Sequence, residues 1–110
     1  MICDRWDVVV VPFPFVDNKQ SKPRPVLVLS KKSFNSRNAH TIMAMITTGG
    51  GTSWSNDVLI KDLDKCGLKS SSLIRSKLFT LDNRFISKKI GKLSKKDISI
   101  IKKSLKEILF

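Results

Sequence analysis

Residues 8–15 read Val8-Val9-Val10-Val11-Pro12-Phe13-Pro14-Phe15, and this stretch decides the class of fold. Four β-branched residues followed by alternating proline and phenylalanine favour a pleated strand, with Val9, Val11, Phe13 and Phe15 on one face. Proline brings no N–H to a ladder, so the far half of the strand is expected at a sheet edge or a bulge. Polar residues 17–22 then make an exposed loop into a second strand, Pro25-Val26-Leu27-Val28-Leu29, whose unbroken apolar run implies burial on both faces. Residues 41–47 alternate Ile42, Ala44 and Ile46 against Met43, Met45 and Thr47 as a third strand. Residues 57–60, 73–81 and 87–93 supply further short strands, a pattern that points to a small barrel or sandwich.

The period changes at the C-terminus. Ser94 with Asp97 three residues on reads as a capping box, after which Ile98, Ile101, Leu105, Ile108 and Leu109 line one helical face. A helix of about 16 residues is marginal alone in water, so its apolar stripe is expected to dock on the sheet. Lys95, Lys96, Lys102, Lys103 and Lys106 then face outward.

The 110 residues carry 21 basic and 9 acidic side chains, a formal net charge of +12. That length suits one domain, residues 1–110, with one core. Residues 84–110 hold nine basic and two acidic side chains. Such a charge balance attracts polyanions such as nucleic acid or an acidic protein tail, although a lysine-rich helix face can also be merely solvated. No apolar stretch approaches the ~20 residues that span a bilayer, and the first residues lack a signal-peptide core, so a cytoplasmic location is expected. Cys3 and Cys66 lie far apart without a C-x-x-C motif, and with His40 as the sole histidine a four-ligand zinc site cannot be assembled in one chain. Two reduced, packed thiols are expected, and no metal or cofactor.

Gly49-Gly50-Gly51 lacks the following lysine of a P-loop and reads instead as a hinge for a mobile loop carrying Trp54. His40, just before a strand, reads as an exposed or capping residue, and no G-x-S-x-G nucleophile motif is present. Lys22-Pro23-Arg24-Pro25 says more. Prolines on both sides hold Arg24 extended, so its guanidinium is aimed from a stiff mount, suited to gripping phosphate oxygens as a fork. The plainer alternative is an edge arginine paired with a carboxylate. Thr47 and Thr48 end a strand just before glycines, where hydroxyls and backbone amides can hold a phosphate. Trp54 is a candidate base-stacking residue, whereas Trp6 more resembles core.

Taken together, residues 7–15, Arg24-Pro25-Val26-Leu27-Val28-Leu29-Ser30, Met45-Ile46-Thr47-Thr48, Asp57-Val58-Leu59-Ile60, Lys77-Leu78-Phe79-Thr80-Leu81-Asp82, Ile90-Gly91-Lys92-Leu93-Ser94 and the terminal helix resemble the MazF/PemK family of toxins from bacterial type II toxin–antitoxin modules. The resemblance implies a mainly β fold with helices, a small SH3-like or CcdB-like β-barrel with a C-terminal helix packed on it. It also implies a homodimeric, metal-independent and sequence-preferring endoribonuclease that cuts single-stranded RNA to 2′,3′-cyclic phosphate and 5′-hydroxyl ends, and an antitoxin whose acidic tail occupies the same groove. By the family pattern Arg24 is catalytic, stabilising the phosphorane and a candidate proton donor, and Thr47 positions the scissile phosphate. Lys19, Gln20, Lys22, Thr48, Trp54, Arg75, Ser76 and Lys77 are the expected RNA contacts. The family's glycine before the first-strand aspartate is Trp6 here, the aspartate before F-P-F is Pro12, and two positions often acidic are Lys19 and Ser76. Two alternatives remain open at this point: a non-catalytic nucleic-acid- or protein-binding module on the same barrel, and a toxin that poisons DNA gyrase.

Overall fold

A computed structural model describes residues 1–14 and 21–110. The expected inward position of Phe15 lies outside the described residues. Six strands run in the order Asp7–Phe13 (β1), Lys22–Val28 (β2), His40–Thr47 (β3), Val58–Leu59 (β4), Leu73–Asp82 (β5) and Lys88–Lys92 (β6). They form one antiparallel sheet, β4-β5-β3-β2-β1-β6, curled into a half-barrel. Helix α1 (Lys32–Asn38) links β2 to β3, a 3-10 turn spans Asn83–Phe85, and helix α2 (Lys95–Leu109) closes the chain. No helix among the described residues is long and apolar enough to cross a membrane.

Strand alternation splits the core in two. Val8, Leu27, Ala44, Ile46 and Ile74 pack on one face with Cys66, Leu93 and Ile101, while Val9, Val11, Val26, Val28 and Met43 pack on the other with Cys3 and Leu81. Val26, Leu27 and Val28 are wholly buried, as their unbroken apolar run requires; burial stabilises by about 1.5–3 kcal/mol per aliphatic side chain. The two thiols sit in opposite clusters. β6 pairs with β1 only over Asp7–Val10, and beyond that point Pro12 faces Pro23 of β2, neither able to donate. Pro12 thus occupies the half of β1 that has lost its outer neighbour, and Pro14 follows the end of the strand. β5 carries a bulge: Arg75 pairs with Met45 and Leu78 with Ala44, so Ser76 and Lys77 are bulged out between them.

In α2 the Ser94 hydroxyl accepts from the Asp97 amide at 3.2 Å, the expected N-cap. The reciprocal half of the capping box is absent. The wholly buried Asp97 carboxylate instead accepts from the Lys61 and Asp62 amides, each at 3.1 Å, tying the 61–67 loop to the helix start. Ile98, Ile101 and Leu105 pack on the first cluster, but Ile108 and Leu109 stay exposed. Helix α1 has no sequence signal because a polar network holds it rather than an apolar stripe. Buried Asn35 donates to the carbonyls of Cys3 and Ser30 at 2.9 and 3.1 Å, and its own carbonyl accepts from the Asn83 side chain at 2.8 Å. Trp6, at the family's glycine position, has φ +76, the left-handed conformation that glycine adopts without steric cost.

Candidate nucleic-acid interface

The groove starts from strand register. Val26 pairs with Met45, Leu27 with Ala44 and Val28 with Met43. Arg24 and Thr47 lie two residues beyond the Val26–Met45 pair on their strands, where this ladder has ended. Val11 of β1 pairs with Arg24 from the other side, and Leu73 of β5 pairs with Thr47. Phe13, Arg24, Met45 and Thr47 therefore continue the alternating rows that begin at Val9–Val11, Val28–Val26 and Met43, at the end where the packed face opens to solvent.

There they line a groove of about 450 Å³ together with Thr48, Ser70, Ser72, Arg75 and Lys77. No carboxylate is among its described lining residues. Arg24 is exposed, and among the described residues its guanidinium makes no ion pair or hydrogen bond. Thr47 Oγ1 accepts from the Gly49 amide at 3.1 Å, which fixes the strand end as it enters the glycine turn.

Arg75 lines the same groove but is already engaged. Its Nε and Nη2 fork onto the two oxygens of Asp57 at 3.2 and 2.9 Å, and Nη1 and Nη2 reach Thr52 Oγ1 and O at 3.0 and 3.2 Å. The guanidinium lies 5.2 Å from the Trp54 ring centroid. Asp57 in turn accepts from the Trp54 amide at 2.9 Å. The hydrogen bond from Arg75 holds the Asp57 carboxyl below the usual carboxylate range, and Asp57 raises the Arg75 guanidinium. The loop beyond the glycines is further tied to α2, where Ser104 Oγ donates to the Asn56 carbonyl at 3.0 Å and Asn56 Nδ2 to Glu107 at 3.0 Å. Trp54 is thus displayed, 45% exposed, on a braced loop rather than a loose hinge; Gly49, Gly50 and Gly51 all have positive φ and serve the tight turn itself.

Of the expected contacts, Thr48, Arg75 and Lys77 join Arg24 and Thr47 in the groove, and Trp54 stands beside it over Arg75. Lys22 is exposed at the start of β2 opposite Phe13 and does not line it. Ser76 does not line it either; its buried Oγ has no hydrogen-bond partner among the described residues. Lys19 and Gln20 lie outside the described residues. His40 is at the opposite end of β3 from Thr47, about 23 Å away at strand rise, with Nδ1 2.9 Å from the Asn38 carbonyl. Sequence reasoning missed Ser70 and Ser72, whose only signal is a polar Ser70-Ser71-Ser72 run directly before β5. It also missed the bracing role of Asp57, an acid standing before a two-residue strand. Among the described residues no three His, Cys, Asp or Glu side chains gather as a metal site.

The sequence model of PemK-like, MazF-like toxins of type II toxin–antitoxin systems matches residues 4–109. No curated protein matches the chain. Among solved structures, a MazE–MazF complex from Deinococcus radiodurans superposes with a TM-score of 0.77 at 18% identity, covering 99% of this chain and 97% of that one. The Mycobacterium tuberculosis toxin MazF-mt6 gives 0.73 at 19% identity over 92% and 93% of the two chains. An endoribonuclease in complex with its cognate antitoxin, from a mycobacterial species, gives 0.73 at 15% identity over 96% and 91%. At these identities the structural likeness speaks to the fold.

Proposed function

Because the chain belongs to the PemK-like, MazF-like toxin family of type II toxin–antitoxin systems, we propose that it is a sequence-preferring endoribonuclease acting on single-stranded RNA in the cytoplasm. One observation carries this reading: Arg24 and Thr47 line one groove together with basic and hydroxyl side chains and no described carboxylate. Backbone phosphate supplies most of the affinity of such a surface for RNA.

Cleavage needs no group from outside the substrate to attack. The RNA 2′-oxygen bonds to the adjacent phosphorus, its proton passing to water, and the 5′-oxygen leaves and is protonated by water. The products are a 2′,3′-cyclic phosphate and a 5′-hydroxyl. Guanidinium groups keep their charge at any working pH, so Arg24 donates to the non-bridging oxygens where negative charge accumulates in the phosphorane. Thr47 Oγ1 positions the same phosphate. The reaction is metal-independent, the protein works as a homodimer, and an antitoxin with an acidic tail competes for the basic groove; solved relatives described as MazE–MazF and as an endoribonuclease with its cognate antitoxin support that partner.

Arg24→Ala is expected to lower the cleavage rate by about 10²–10³, the usual loss when one preorganised donor to a developing oxyanion is removed. The assay is end analysis of single-stranded RNA in EDTA with the folded variant. Cleavage at the wild-type rate refutes the assignment. A second reading, an RNA-holding module without cleavage, is favoured by the lack of carboxylate or imidazole among the described residues lining the groove. Intact RNA across many sequences, with tight salt-sensitive binding, decides for it.

A further inference from the structure

A second pocket of about 320 Å³ opens on the other side of Arg24. It shares Arg24, Pro25 and Leu68 with the groove described above and is flanked by Lys69 and Lys88. We propose that it is a subsite for a phosphodiester flanking the one held at Arg24 and Thr47, so that a single RNA strand runs from the groove across Arg24 and Leu68 to Lys69 and Lys88. This rests on the RNA reading above and adds a binding site to it.

The two lysines come from segments more than fifteen residues apart, and the chain makes an effort to hold them together. Gly67 has φ +71, and a Cβ there would run into the Ile90 carbonyl; a Cβ on Gly91 would run into the Cys66 carbonyl. Two glycines in register therefore let the 61–69 loop lie directly on β6, closer than any side chain permits. The Lys92 amide donates to the Lys65 carbonyl at 2.9 Å, and the Leu68 amide to the Leu63 carbonyl at 3.0 Å. The far end of the loop is fixed by the Asp97 carboxylate. This wall carries Leu68 and Lys69 to within one pocket of Lys88.

Its chemistry suits phosphate. No carboxylate is among the described residues lining the pocket, and neither lysine has an ion-pair partner among the described residues. The neighbouring Lys89 differs: it is spent on Asp7 at 3.1 Å. Arg24, set between the two cavities, gives the strand a continuous cationic path, and the apolar floor of Val10, Leu68 and Ile90 gives a sugar or base a dry surface. A single-stranded backbone is the occupant whose repeating charge suits a path lined by Arg24, Lys69 and Lys88.

The test uses the full chain and fluorescent 2′-O-methyl RNA, whose blocked 2′-oxygen prevents cleavage, as a dinucleotide with a single phosphodiester and as a strand of about ten nucleotides. Each neutralised phosphate contributes about 0.7 to the salt slope of single-strand binding. Loss of the one flanking phosphate in K69A/K88A is therefore expected to lower the slope for the long probe by about 0.7 and leave the short probe nearly unchanged. Between about 50 and 200 mM salt the wild type then loses about 2.6-fold more affinity than the variant. K69R/K88R restores the slope, and K95A/K96A, which removes equal charge from exposed positions on α2, leaves it intact. An unchanged slope in K69A/K88A, or an equal drop in K95A/K96A, overturns the subsite while RNA binding by the wild type stands. A wild type that binds neither probe overturns the RNA reading and the subsite together.

Discussion

Asp97→Ala separates two accounts of the start of α2. A capping box assigns the carboxylate to the helix's own amides, so its removal should cost no more than loss of the Ser94 hydroxyl, about 1 kcal/mol. The structure assigns it to the Lys61 and Asp62 amides at 3.1 Å each, from a wholly buried position. Hydrogen bonds to a charged group contribute about 1.5–3 kcal/mol each. Because Lys61 and Asp62 are themselves exposed, their freed amides regain water, and the low end of that range applies. Two bonds then give a loss of about 3 kcal/mol, and Asp97→Asn, which keeps one acceptor of the same shape, about half of it.

For a domain of this size 1 kcal/mol moves the melting midpoint by about 4–8 °C, so Asp97→Ala should melt at least 12 °C or so below the wild type, with Ser94→Ala falling by about a third as much. Urea unfolding followed by far-UV circular dichroism gives the two values. Native-state hydrogen exchange supplies the local check, since the Lys61 and Asp62 amides should lose protection in Asp97→Ala and keep it in Ser94→Ala. If Ser94→Ala proves the costlier substitution, or those two amides exchange alike in both variants, the assignment of the carboxylate to the loop is wrong.

The Asp57–Arg75 brace predicts a pH response of Trp54. The Asp57 carboxyl is held low in the folded state, chiefly by the hydrogen bond from Arg75, so its contribution is complete above the ordinary carboxylate value of about 3.9 and disappears only as pH falls below it. In a Trp6→Phe background, Trp54 emission should stay flat from neutrality down to about pH 5 and shift only beneath about pH 4, while Asp57→Asn shows the shifted emission at neutral pH; a midpoint above pH 5 contradicts the brace. Burial, and then Asp97 and Asp62, push the Cys66 thiol up to about 11, and burial also raises Cys3. At pH 8 about one Cys66 in a thousand is thiolate, so alkylation followed by mass spectrometry should modify the native thiol only on unfolding; rapid labelling of folded protein at that pH would show the site to be open.

The strands were legible because their signal is local. Val8 to Val11 and Val26 to Val28 are β-branched or apolar without interruption, and a sheet that buries both faces asks for nothing else. Helix α2 was legible from a hydroxyl cap and a 3.6-residue stripe. Helix α1 was not, since Asn35 is fixed by partners up to 48 residues away, and no window of sequence contains them. The same limit hid Asp57 from Arg75 and Lys69 from Lys88. Trp6 shows the opposite failure: its left-handed backbone is invisible in a tryptophan, and only the family's glycine at that place hints at it. Arg24 stood out through its flanking prolines, whereas its sharing a groove with Thr47 depends on how β2 and β3 pair, which no local pattern fixes.

On the proposed reading, the placement of Arg24 between two cavities bears on how a groove whose described lining holds no carboxylate or imidazole accelerates cleavage at all. In RNA the nucleophile is already tethered to the phosphorus through C2′, C3′ and O3′, so a protein gains little by bringing it closer. What a relaxed strand lacks is alignment of the 2′-oxygen, phosphorus and 5′-oxygen, and effective molarities for well-aligned groups show that orientation alone can supply several kcal/mol. Gripping one phosphate cannot set that angle, because the sugar still rotates about it. Gripping the neighbouring phosphate as well, at Lys69 and Lys88, fixes the nucleotide between two points and limits the torsions left to it. The rigid mounting of both points then has a common purpose: Pro23 and Pro25 set the torsions around Arg24, and Gly67 against β6 sets the position of Lys69. Loosening either mount should lower the rate of cleavage more than the affinity for RNA, since two flexible cations still attract a polyanion but no longer hold it in line.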